Sequence, residues 1–232
     1  MSEEQPLKGI ERERVTQWLA ETLPRAAPPF TFRLIAAGGS NLTYRVEDAH
    51  GGAFILRRPP VAGALATAHD MGREWRIMHA LGAHAPQVPV PAMLAFCDDP
   101  AVTGAPFYVM EFVDGLILRD RAGAADMDVA ACRAAMRSLV ATQAALHTLD
   151  PAAVGLGDLG KHEGYVARQL SRWRRQVEAS KTRDLPLLGQ LHERLGAGIP
   201  PETRRPGLAH GDYRFDNTVL GPDHRVRAVL DW

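Results

Sequence analysis

His210-Gly211-Asp212-Tyr213-Arg214-Phe215-Asp216-Asn217, followed by Val229-Leu230-Asp231, is the stretch on which the reading of this chain turns. An aspartate precedes an asparagine by five positions, and short apolar runs at 218–220 and 227–230 flank the turn residues Gly221-Pro222-Asp223. One loop can therefore present Asp212 and Asn217 together, and a hairpin can return Asp231 to the same end. Two carboxylates and an amide oxygen gathered in this way suit phosphoryl transfer. One carboxylate accepts or orients the proton of an attacking hydroxyl, while the amide oxygen and the second carboxylate hold Mg²⁺ against nucleotide phosphates. Aspartate and asparagine also cap turns, and taken alone these residues fit that plainer role better.

Outward from this stretch, the chain changes character twice. Residues 10–23 carry Val15, Trp18, Leu19 and Leu23 at helical spacing, and Pro24, Pro28 and Pro29 stop that helix. From Phe30 the pattern is of strands. Phe32, Leu34 and Ile35 lead into Ala36-Ala37-Gly38-Gly39-Ser40-Asn41, residues 42–46 alternate, Asp48-Ala49-His50-Gly51-Gly52 turns, and 53–57 forms a third strand. A helix over 66–81 follows, then strands at 92–97 and 107–112, of which Tyr108-Val109-Met110 reads as central and buried. Beyond Gly115 the signals are helical. In 128–149, Val129, Cys132, Ala135, Met136, Leu139, Val140, Gln143 and Leu146 form one stripe that draws Cys132 and His147 toward the core, with Asp126 or Asp128 as cap. Helices at 162–179, with a stripe of Tyr165, Val166, Leu170, Trp173 and Val177, and at 185–195 complete the reading. The expected organisation is α+β: an N-terminal helix and linker over 1–29, an antiparallel-sheet lobe over 30–113 and a mostly helical lobe over 114–232. A cleft between such lobes is a common place for a small-molecule site.

The 232 residues divide their charge evenly, 27 basic against 27 acidic, so no global electrostatic footprint for nucleic acid is expected. A 46% hydrophobic and 23% charged composition excludes wholesale disorder. Two cysteines are too few for a disulfide framework, which points to a reducing, cytoplasmic setting. The start is polar and mixed in charge, without the apolar core of a signal peptide, and no apolar run reaches the ~20 residues of a membrane span.

Several stretches, taken in order, resemble the aminoglycoside and choline kinase-like phosphotransferases, and most closely the kinase-like domains associated with acyl-CoA dehydrogenases. They are Gly38-Gly39-Ser40-Asn41-Leu42-Thr43, Phe54-Ile55-Leu56-Arg57-Arg58-Pro59-Pro60, Ala68-His69-Asp70 with Arg73-Glu74, and Pro106-Phe107-Tyr108-Val109-Met110-Glu111. Leu156-Gly157, Arg172-Trp173, His210-Gly211-Asp212 with Asn217, and Val229-Leu230-Asp231-Trp232 complete the set. The resemblance implies a two-lobed protein-kinase-like fold and an ATP- and Mg²⁺-dependent transfer to a small-molecule hydroxyl. It implies Asp212 as catalytic base or hydroxyl-orienting residue, Asn217 and Asp231 as metal ligands, and His210 as a brace of the loop. Gly38, Gly39, Ser40 and Asn41 would form a phosphate loop, and the backbone of Glu111 and Val113 would meet adenine. Kinases place a lysine on the third strand, paired with a helix glutamate. Here Arg57 takes that place, on the strand face of Ile55 and opposite to Arg58, with Glu74 as its partner. Arg214 is a candidate to neutralise charge on the transferred group.

Other readings stay open at this point. Gly38-Gly39 alone suits an ordinary hairpin, Glu74 a solvated helix, Arg214 a surface position, and Arg168, Arg172, Arg174 and Arg175 a solvated face rather than an anionic-substrate site. The resembling proteins continue for about a hundred residues past the position of Trp232, so the helical lobe is expected to be truncated. That expectation, with the arginine in the lysine's place, motivates a pseudokinase-like binding module as the alternative. A metal-dependent hydrolase built on His210, Asp212 and Asp231 ranks last, because few further ligands lie nearby. The acceptor, a hydroxyacyl thioester or an aminoglycoside-like molecule, follows by analogy alone.

Overall fold

The computed structural model describes residues 7–37, 41–60, 71–202 and 205–232. The chain divides into two compact units. One holds the described residues up to Leu149 together with Ala209–Trp232, the other Asp150–Leu208.

The first unit is built on a five-stranded antiparallel sheet of order β1-β2-β3-β5-β4, with β1 Thr31–Ala37, β2 Leu42–Glu47, β3 Ala53–Arg58, β4 Met93–Cys97 and β5 Phe107–Glu111. The turn between β2 and β3 forms because the Asp48 carboxylate accepts from the backbone N–H groups of His50 and Gly52, at 2.9 and 2.7 Å. Both faces of β3 and β5 are covered, so these strands read as continuous apolar runs rather than as alternating ones. Helix α1 (Arg12–Thr22) packs Val15 and Leu19 onto the face that carries Tyr44, Phe54, Leu56, Phe107 and Val109. Helix α2 (Met71–His84) packs Met71 and Met78 onto the face that carries Ile55, Tyr108 and Met110. The sequence expects this helix over 66–81; its residues 66–70 lie outside those described, and it continues to His84. The two arginines that end β3 part as the strand alternation requires. Arg58 turns to the α1 face, where it donates to the carbonyls of Gly9, of Pro59 and of Thr103 at the end of α3 (Pro100–Thr103); Arg57 turns to the α2 face.

After the sheet, Gly115 lets Leu116 pair with Leu220 through two backbone hydrogen bonds of 2.9 and 2.8 Å. A Cβ at Gly115 would collide with the Leu220 carbonyl. Helix α4 (Val129–Thr148) starts where the Asp128 side chain accepts from Ala131 N–H at 2.7 Å, so Asp128 rather than Asp126 is its cap. Its buried face differs from the expected stripe. Ala131, Ala135, Thr142 and Leu146 are buried, whereas Val129, Met136 and Val140 are exposed, as are Cys132 and His147. The small side chains let α4 lie close against β7 (Val226–Val229), which pairs with β6 (Thr218–Leu220). The Tyr213 hydroxyl donates to Leu139 O at 2.9 Å and ties the loop before β6 to this helix. Burial pushes the Tyr213 phenol up to about 12.

In the second unit, α5 (Tyr165–Ser180) and α6 (Pro186–Ala197) pack on each other without a single fully buried side chain. The expected α5 stripe is largely exposed: Tyr165, Val166 and Trp173 face solvent, Trp173 at 61%. The Glu202 carboxylate caps α5 by accepting from the N–H groups of Gly164 and Tyr165, both at 2.9 Å.

Candidate active site

The site begins with the register of two strands. Arg57 and Tyr108 are direct partners across β3 and β5, and both point to the face on which α2 lies. Arg57 is 8% exposed. Its Nε lies 3.3 Å from Oε2 of Glu74, an ion pair that lacks the alignment of a hydrogen bond, and its Nη2 pairs with Oδ1 of Asp231. Glu74, 6% exposed on α2, receives two further donors. The Tyr108 hydroxyl donates to Oε2 at 2.7 Å and the Asn41 amide to Oε1 at 3.2 Å. Burial opposes the charge of Arg57, but the carboxylates of Glu74 and Asp231 outweigh it and hold the guanidinium charged. Burial likewise pushes the Glu74 carboxyl up, against the pull of Arg57, Tyr108 and Asn41.

The second wall comes from the loop and hairpin at 209–232. His210 Nδ1 accepts from the backbone N–H of Asp212 at 3.3 Å, and its Nε2 meets the carbonyl of Leu230 at 2.8 Å. A carbonyl can only accept and an N–H can only donate, so the ring carries its hydrogen on Nε2 and is neutral. Burial agrees, since it pushes the His210 pKa below its ordinary value of 6.5. His210 thus joins the start of the loop to the end of the hairpin, where Leu230 N–H also donates to Asn217 O at 2.8 Å. The Asn217 amide nitrogen donates to the backbone oxygen and to Oδ2 of Asp212, at 2.9 and 3.1 Å, and thereby orients its own oxygen away from that carboxylate. Asp231 adopts a left-handed backbone with φ 66°, a conformation aspartate tolerates better than most residues. Arg214 is held by two acids, with Nε 3.3 Å from Asp212 and 2.8 Å from Asp216.

These walls border a cavity of about 430 Å³. Asn41, Arg57, Arg214, Asn217 and Asp231 line it, as do Glu111 and Val113 at the end of β5. The Glu111 carboxylate accepts from Ala92 N–H at 3.2 Å, so its side chain is engaged at the sheet edge. Glu74 and His210 lie behind the cavity walls, and Asp212 touches it through Asn217 and Arg214. The expected phosphate-loop residues Gly38, Gly39 and Ser40 lie outside the described residues. Sequence reasoning missed two participants. Asp216 lines the cavity beside Arg214, and the Tyr108 hydroxyl joins a site to which the strand pattern assigned only a core residue. The wall sets a permanent buried cation, Arg57, beside the carboxylate of Asp231 and the amide of Asn217, with Arg214 and Asp216 also lining the cavity. Among the described residues, no cluster of three or more His, Cys, Asp or Glu side chains could hold a metal by itself.

Known proteins are similar to this chain in sequence and in fold. Acyl-CoA dehydrogenase family member 11 of Gallus gallus is 36% identical over 221 residues, 93% of this chain and 28% of that protein. Acyl-CoA dehydrogenase family member 10 of Mus musculus is 36% identical over 198 residues, 84% of this chain and 18% of that protein. The chain therefore spans about a quarter or less of the length of these relatives. A crystal structure of a protein from Ralstonia eutropha assigned as an aminoglycoside phosphotransferase superposes with a TM-score of 0.78 at 36% identity, covering 95% of this chain and 64% of the other. An aminoglycoside 2'-phosphotransferase superposes at 0.64 with 18% identity, covering 95% of this chain and 72% of the other, which shows the fold. That fold is α+β and protein-kinase-like, with an antiparallel-sheet lobe and a helical region. The profile of the phosphotransferase enzyme family (APH) matches residues 31–232, from the first strand to the last residue of the hairpin segment. Sequence and fold agree: this chain belongs to the phosphotransferase enzyme family.

Proposed function

We propose that this chain is an ATP- and Mg²⁺-dependent phosphotransferase whose acceptor is the hydroxyl of a small molecule. The observation that carries the reading is the meeting, on one cavity, of the buried Arg57 cation with the oxygen donors Asn217 and Asp231. Arg57, aimed by Glu74, holds the α- and β-phosphates, since a guanidinium can fork two phosphate oxygens. Gly38, Gly39, Ser40 and Asn41 offer backbone N–H groups to the phosphates, and the backbone of Glu111 and Val113 receives adenine at the end of β5. The residues present suit magnesium. It favours hard oxygen, takes one or two carboxylates from the protein and completes its shell with water and phosphate. Asp231 supplies the carboxylate and the Asn217 oxygen the second protein ligand. Bound there, Mg²⁺ neutralises charge on the phosphates. Asp212 orients the acceptor hydroxyl and takes its proton, with its carboxylate kept in place by the Asn217 amide. Neutral His210 braces the loop, and Arg214 faces the charge that develops on the transferred group.

For the acceptor, a hydroxyacyl thioester comes first, because the longer relatives are named as acyl-CoA dehydrogenase family members, and an aminoglycoside-like alcohol second. On this reading 30–113 is the nucleotide-binding lobe and 114–232 the helical lobe that carries the catalytic loop. The protein works in the cytoplasm, in keeping with two cysteines that form no disulfide. The test is release of ADP from Mg·ATP against a panel of hydroxyacyl thioesters and aminoglycosides, with loss of the product in Asp212→Asn. One observation favours a second reading, a pseudokinase-like binding module: Asp231 is already paired with Arg57, which competes with a metal for that carboxylate. Nucleotide binding that ignores Mg²⁺, with no ADP released for any acceptor, would select it.

A further inference from the structure

We infer that Tyr108 and Asn41 are positioning residues that act through Glu74 to set the plane of the Arg57 guanidinium toward the nucleotide phosphates; this rests on the nucleotide reading above. A lysine in the place of Arg57 would need only to bring a point charge near the phosphates. A guanidinium is planar, and which of its edges faces the acid decides which edge faces the ligand. Arg57 turns Nε to Glu74 and Nη2 to Asp231 on the cavity wall, so the orientation of the Glu74 carboxylate fixes the edge on offer.

That carboxylate is not oriented by Arg57 alone. Tyr108 gives its hydroxyl hydrogen to Oε2 at 2.7 Å, on the same oxygen that faces Arg57 Nε. Asn41 gives an amide hydrogen to Oε1 at 3.2 Å. Two neutral donors on opposite oxygens lock the carboxylate against rotation. The anchors are themselves rigidly placed. Tyr108 stands directly across the ladder from Arg57 and is fully buried, and Asn41 is buried one residue before β2, whose Thr43 pairs with Arg57. The sheet therefore delivers both donors and the guanidinium from one set of registers, while Glu74 arrives from α2. Tyr108 and Asn41 add no charge; their contribution is direction.

The test is a mutant cycle read by isothermal titration with Mg·ADP, using the whole chain, alongside the thermal midpoint without nucleotide. Tyr108→Phe removes one hydroxyl and keeps the ring that packs against α2. With Arg57 in place it is expected to weaken Mg·ADP binding about fivefold to tenfold, the scale of one ordinary hydrogen bond. In an Arg57→Lys background, whose ammonium has no plane to set, the same change is expected to weaken binding less than about twofold. Asn41→Ser repeats the comparison from the other oxygen, and replaces Tyr108→Phe should that variant fail to fold. An equal loss in the wild-type and Arg57→Lys backgrounds, tracking the thermal midpoint, would mean that the hydroxyl only stabilises the sheet, and would overturn the inference. Tight Mg·ADP binding by wild type with no change in either variant would overturn it while the nucleotide reading stands. No binding of Mg·ADP by wild type would overturn both.

Discussion

Asp212 and His210 sit on the same short loop and perform separable tasks. Replacing Asp212 by asparagine keeps the shape and removes the proposed proton acceptor. Turnover in Asp212→Asn is expected to fall about 10²- to 10⁴-fold with nucleotide affinity retained, as single-turnover ADP release and titration would read. His210 sets a pH dependence of stability. Burial lowers its pKa below 6.5 in the folded chain, so the unfolded chain binds more protons once the pH drops under that value. Its contribution is complete above pH 6.5 and is lost as the pH falls toward the folded value. Thermal midpoints measured down through that range should fall more steeply for wild type than for His210→Gln, which cannot take up the proton. At this scale much was legible. Strand alternation alone separates Arg57 from Arg58, and the spacing within the loop brings Asp212 to Asn217. The Tyr108 hydroxyl was not, because its partner Glu74 lies 34 positions away and a tyrosine in an apolar strand reads as core.

Two elements carry local tests. The Asp128 carboxylate satisfies an N–H that α4 leaves open at its start, and Asp128→Ala is expected to cost about 1 kcal/mol in urea unfolding. Gly115→Ala forces a methyl into the Leu220 carbonyl at the bridge beside β6, and should cost about 1–3 kcal/mol, lowering the thermal midpoint. The existence and ends of α4 follow from its periodicity and its cap, but the buried face does not. The sequence of α4 is rich in alanine, and a helix can turn either its large apolar residues or its small ones inward. Close packing against β7 selects Ala135, and Val129 is left 73% exposed. Strands β3 and β5 were clearer, because burial on both faces requires an unbroken apolar run, and loops cannot supply one.

At the scale of the whole molecule, half of the exposed large apolar side chains among the described residues lie on the two helices of the second unit. Tyr165 and Val166 join Trp173 on α5, with Leu187, Leu188, Leu191 and Leu195 on α6. A surface of this kind binds apolar probes. The chain is expected to enhance the fluorescence of an apolar dye, and a Trp173→Ser, Leu187→Ser, Leu191→Ser variant to lose most of that signal while keeping its nucleotide affinity. Such a helix pair cannot be ordered from its own periodicity, because amphipathic spacing tells which residues share a face and not what that face meets. The account as a whole rests on the cavity beside Arg57 being a metal–nucleotide site. The most direct test is a crystal structure with Mn²⁺ and a non-hydrolysable ATP analogue, using the anomalous signal to place the ion. The account predicts a peak bonded to Asp231 and Asn217, with phosphate oxygens reaching Arg57. A nucleotide bound elsewhere, or an ion that leaves both side chains untouched, would contradict it.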